Sequence, residues 1–138
     1  MQTTVKNSLQ NHRINKQARD QILGLTAMFL LGMGVNLIGL PSQVAGGAQT
    51  TTSILLSLHV LIGLSLVAGS IVTVVRAKSS DFTKLAWIGL ATILMTLVCG
   101  VMTAATESNW WSYGMSVGFI ANFWIYGMLF VKTRSNQS

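Results

Sequence analysis

Four apolar stretches without a single Asp, Glu, Lys or Arg alternate with short polar connections along this chain, at residues 21–40, 53–75, 85–104 and 113–131. About 20 residues at roughly 1.5 Å rise cross a hydrocarbon core about 30 Å thick, so each stretch predicts a transmembrane helix. The connections, residues 41–52, 76–84 and 105–112, are short. Short connections make successive helices antiparallel neighbours, which predicts an all-α fold, a transmembrane four-helix up-down bundle. Residues 21–131 then form one membrane domain, preceded by a polar basic leader (1–20) that reads as a partly ordered tail and followed by a flexible tail (132–138). The first stretch exceeds the 7–15 apolar residues of a usual signal-peptide core and follows a long polar leader, which predicts a retained span. No internal repeat is apparent.

Charge orients this pattern. Lys6, Arg13, Lys16 and Arg19 precede the first span, Arg76, Lys78 and Lys84 lie in the middle connection, and Lys132 and Arg134 follow the fourth span. These are all nine basic residues, and the other two connections carry none. Because Lys and Arg are retained on the cytoplasmic side, both termini are expected there. Trp110, Trp111 and Tyr113 fall at the opposite membrane boundary, with Trp87 as an inner counterpart, as in an aromatic belt. The chain is 51% apolar and 9% charged, which argues against a soluble core. The net charge of +6 sits beside the spans, where anionic headgroups account for it. The partner this implies is the lipid bilayer, not nucleic acid.

Candidate chemistry is sparse. No span holds a carboxylate, which leaves no acid pair for hydrolysis and no acidic proton relay, and the hydrolase, zinc-protease, thiol-redox and phosphate-loop motifs are absent. Glu107 is expected to be a solvated acid of an outer loop. The lone Cys99 cannot form an intramolecular disulfide. At 100° per residue, Thr92, Thr96, Cys99, Thr103 and Thr106 form one stripe on the third span. Thr52, His59, Gly63 and Ser70 share a face of the second, Phe29, Gly32, Asn36 and Gln43 align on the first, and Met115, Asn122 and Tyr126 on the fourth. Small and hydroxylated residues commonly form packing seams in membrane bundles, and buried amides such as Asn36 and Asn122 serve as interhelical glue. His59 is different, because it is the only group in the spans that titrates near neutrality, and intramembrane ionisable residues mark functional sites. Counting depth from the ends of the spans places Met33, Asn36, Cys99, Met102, Phe119 and Asn122 near it. Its imidazole could hold haem iron with a methionine opposite, ligate copper with Met and Cys, contact a quinone, or simply hydrogen-bond a neighbour.

The stretch LLSLHVLIGLSLVAGSIVTVVRA, with a closing helix containing GFIANFWIYG, resembles small bacterial four-span membrane proteins of unknown function, over roughly residues 20–132. In helix count and in the second-span histidine these are loosely similar to the four-helix haem b modules of bacterial membranes. The resemblance implies a bacterial cytoplasmic membrane and, for the haem modules, a second histidine near the start of a later span. Here the fourth span opens WWSYGMSVG, without histidine. Met115 stands as the available replacement.

Three functions remain open at this stage. The first is a non-enzymatic accessory subunit or oligomeric component of the cell membrane, either a homo-oligomer or part of a larger complex. The second is a haem b or quinone module on His59, with Met115, Met102 or Met33 completing the site and no other metal centre expected. The third is a small channel or transporter protomer, with the threonine stripe of the third span and Asn122 lining a hydrated path in an oligomer.

Overall fold

The computed structural model describes the backbone of residues 2–78, 80–106 and 108–135, and within them the side chains from Leu9 onward except Asn109. Glu107, expected as an outer-loop acid, lies outside the described residues. Four helices make up the fold: α1 (Gln2–Ile38), α2 (Gly47–Ala77), α3 (Thr83–Thr106) and α4 (Asn109–Ser135). No strand occurs among the described residues. All four helices are long and apolar enough to cross a membrane.

Backbone chemistry explains the boundaries. α1 stops where Gly39 turns to φ +106° and donates its N–H to the Val35 carbonyl at 2.9 Å, with Pro41 following. A left-handed residue after the last turn ends a helix most cheaply as glycine. Gly46, at φ +66°, has the same freedom just before α2. In the turn from α2 to α3, the Ala77 carbonyl accepts from the Ser80 N–H and from the hydroxyls of Ser80 and Thr83.

Each helix packs against its two sequence neighbours, with α4 closing on α1, and the diagonals α1–α3 and α2–α4 make no close backbone approach. The bundle is therefore square, with alternating helix direction. Contacts such as Gly24 on Leu66, Gly32 on His59, Gly100 on Met115, Phe29 on Phe119 and Asn15 on Thr133 set the register between helices. Four inward residues share each level. Starting from the end that bears both termini, the levels are Ile14, Ala77, Phe82 and Thr133; Ala18, Thr73, Ala86 and Leu129; Gln21, Ser70, Gly89 and Tyr126; and Leu25, Leu66, Ile93 and Asn122, all of them buried. Met28, Gly63, Thr96 and Phe119 come next, followed by Gly32, His59, Gly100 and Met115, and these are buried or half-buried.

Along every helix these positions alternate in steps of four and three. A seven-residue repeat of this kind keeps one seam on the axis by left-handed supercoiling. Tyr126 crosses the axis to donate its hydroxyl hydrogen to Ser70 Oγ at 3.0 Å, and Gly89 leaves space for it. Outside the seams the helices carry exposed Leu30, Leu37, Val75, Trp124 and Val131. Apolar exposure on this scale suits a hydrocarbon solvent.

The leader departs from the expectation of a partly ordered tail. Residues 2–20 continue α1 without a break, and Ile14 and Ala18 are fully buried. The polar side chains beside them have partners on other helices. Asn15 Nδ2 donates to the Phe130 carbonyl at 2.9 Å and to Thr133 Oγ1 at 3.0 Å, Gln10 Nε2 to the Arg76 carbonyl at 2.8 Å, and Gln21 Nε2 to the Leu66 carbonyl at 3.1 Å. This segment extends the bundle beyond the apolar run.

Candidate functional site

The interior changes character halfway along the axis. Near the termini, Ile14, Leu25, Leu66, Phe82, Ile93, Tyr126 and Leu129 fill the levels. Towards the opposite end, Gly32, Gly63, Gly100, Thr103 and Ser112 occupy corresponding positions, and the axis opens into a cavity of about 650 Å³. That volume falls within the range of small-molecule sites, roughly 300–1,000 Å³. All four helices contribute to its wall.

Glycine keeps this space open. A Cβ on Gly32 would stand 3.1 Å from His59 Cε1, one on Gly63 3.5 Å from Met28 Cε, and one on Gly100 3.4 Å from Met115 Sδ. Each glycine thus lets a lining side chain rest against the backbone of the adjacent helix. At the His59 level, His59 on α2 and Met115 on α4 take one diagonal of the square, and Gly32 and Gly100 take the other. The floor is formed by Met28, Gly63 and Thr96.

His59 is held in a defined way. Its Nδ1 lies 2.9 Å from the Met28 carbonyl oxygen. A carbonyl can only accept, so Nδ1 carries the hydrogen, and in the uncharged ring Nε2 keeps its lone pair. Nε2 has no protein partner among the described residues and is not fully buried, and His59 lines the cavity. With no carboxylate in any span, a charged ring would lack a counter-ion there. An imidazole with one nitrogen anchored to backbone and the other free is the usual arrangement of a metal-bound histidine.

The sequence-predicted residues separate by direction. His59, Met115, Thr96, Thr103 and Asn36 line the cavity, with Asn36 near the mouth. Met33 follows Gly32 by one residue and is turned to the exterior, while Met102 is half-buried and does not face the cavity. Cys99 packs against Gly114 on α4. Asn122 sits below the floor, fully buried, donating through Nδ2 to Thr96 Oγ1 at 3.2 Å and to the Gly118 carbonyl at 2.8 Å, and its Oδ1 has no partner. The threonine stripe satisfies itself: Thr92, Thr96, Thr103 and Thr106 each donate to the carbonyl four residues back. Sequence reasoning did not single out Met28, Gly100 or Ser112 as parts of the site. Their signal was the four-three spacing that they share with His59 and Met115.

One flank of the cavity is closed and another is not. Phe29 and Phe119 stack at 4.9 Å between α1 and α4. Val60 of α2 and Val101 of α3 line the cavity and are also exposed, on the two neighbours that pack least extensively. The cavity therefore reaches the outer surface between α2 and α3. No protein-family model, curated protein or solved structure matches this chain. The likeness to bacterial four-span proteins and to haem b modules thus rests on the sequence features alone.

Proposed function

We propose that this chain is a multi-pass protein of the cell membrane, with both termini cytoplasmic, whose bundle holds a planar prosthetic group in its far half, haem b being the first candidate. The observation that carries this reading is the His59 level: an anchored imidazole with a free Nε2, a thioether across the diagonal, and glycines at both remaining corners. His59 and Met115 would hold the group, which would supply one-electron chemistry, while the surrounding helices would orient it and exclude water. With no carboxylate in the spans and no catalytic motif, the chain reads as a non-enzymatic subunit, alone or within a larger membrane assembly. A single-chain pore is disfavoured, because Leu25, Leu66, Ile93 and Tyr126 close the axis below the cavity.

Full-length protein purified in detergent and supplied with haem b should show a stoichiometric Soret band. His59→Ala is expected to abolish it, and Met115→Ala to leave haem bound with a shifted absorption maximum. A wild-type protein that takes up no haem would leave the plain packing component as the better reading. Orientation has its own measurement. In a Cys99→Ser background, single cysteines at Gln49 and Lys78 should be labelled from opposite faces of sealed vesicles, with Lys78 on the cytoplasmic side. Labelling from one face would overturn the four-span arrangement.

A further inference from the structure

A second cavity, of about 340 Å³, lies at the terminal end between α1 and α2, lined by Leu9, Gln10, Arg13 and Arg76. Its two cations have no acidic partner. The one ion pair among the described residues joins Arg19 to Asp20, and no hydrogen bond engages Arg13. Arg76 is held by neutral groups: its Nη1 donates to Gln17 Oε1 at 3.1 Å, and its carbonyl accepts from Gln10 Nε2 at 2.8 Å. Gln10, Arg13 and Gln17 are spaced by three and four, so they share one face of α1, the face turned to Arg76. Two guanidinium groups on one pocket repel each other unless an anion lies between them, and guanidinium is well suited to bidentate contact with phosphate.

Depth selects the source of that anion. Arg76 is the first residue after the apolar stretch 53–75, and Arg13 is brought to the same level by the Gln10 and Gln17 contacts. This is the headgroup layer if α2 spans the bilayer. We infer that Arg13 and Arg76 form a site for the phosphodiester of an anionic lipid headgroup, preorganised by Gln10 and Gln17. The site is independent of the His59 cavity and of its occupant.

The test uses the full chain in detergent, titrated with short-chain phosphatidylglycerol, with phosphatidylcholine of equal chain length, and with inorganic phosphate, and read as a shift in the unfolding midpoint and as bound lipid by native mass spectrometry. Phosphatidylglycerol should bind and stabilise the wild type, phosphatidylcholine much less, and inorganic phosphate weakly. Arg13→Gln and Arg76→Gln should each weaken phosphatidylglycerol binding about tenfold, the size of one lost charge-assisted contact. Lys16→Gln, which removes an exposed charge from the same helix outside the pocket, should leave binding intact. Equal losses from Lys16→Gln and Arg13→Gln would replace the site with diffuse surface charge. Inorganic phosphate binding as tightly as phosphatidylglycerol would overturn the lipid assignment.

Discussion

Ile14→Asp should cost the purified protein about 3–5 kcal/mol of stability, the scale of an uncompensated buried charge. Ile14 is fully buried at the level of Ala77, Phe82 and Thr133, in a segment whose sequence reads as a polar leader. An aspartate there has no basic residue on the axis to meet it. Thermal unfolding in detergent, followed by circular dichroism, measures the effect. His12→Asp is the matched control, since His12 is exposed on the same helix and lies outside the Arg13 and Arg76 pocket, and its midpoint should stay close to the wild type. Equal midpoints for the two variants would mean that residues 9–20 are dispensable to the bundle.

Gly118→Val is expected to destabilise by about 1–3 kcal/mol or more through overpacking. A Cβ at this position would run into Thr96 Oγ1 and stand 3.2 Å from Thr96 Cβ. Thr96 cannot easily give way, because its β-branched side chain is stiff and its hydroxyl both donates to the Thr92 carbonyl and accepts from Asn122. Relief has to come from moving α3 away from α4, which breaks the Asn122 contact below the cavity floor. Gly127→Ala lies on the same helix, where an added Cβ meets nothing within 4 Å. That exchange should be neutral or stabilising, since alanine is the better helix former. A Gly118→Val protein as stable as Gly127→Ala would show that α3 and α4 are not held at this distance.

Much of the fold was legible because hydropathy and helix length report the same physics. The stretches 53–75, 85–104 and 113–131 fall within α2, α3 and α4, and 21–40 overruns α1 by only Gly39 and Leu40. The leader was not legible by that measure. Averaged hydropathy counts Asn15, Gln17 and Gln21 as solvent-seeking, whereas Asn15 and Gln21 donate to carbonyls on α4 and α2 and Gln17 accepts from Arg76. The spacing Ile14, Ala18, Gln21, Leu25 carried the missing information, and it continues unbroken into the apolar run.

At the candidate site depth was easier to read than direction. A count of 100° per residue drifts about 20° from a seven-residue seam in each heptad. On α2 the drift is harmless and His59, Gly63 and Ser70 stay together. On α1 it groups Gly32 with Phe29 and Asn36, which lie at the edge of the seam and are exposed. Met33 and Met102 stand near the depth of His59 yet are turned off the axis. Of Met33, Met102 and Met115, Met115 is the one that both its level and its direction bring to the cavity, and Gly100 beside it could be recognised only once the helices were paired.

The division of the axis into a filled half and a hollow half separates two kinds of work. Cohesion comes from the levels between Ile14 and Asn122, so on the proposed reading a group beside His59 would be loaded or released without dissolving the scaffold that receives it. Local opening should accordingly be cheapest around the α2–α3 window and dearest in the filled levels from Ala18 to Asn122.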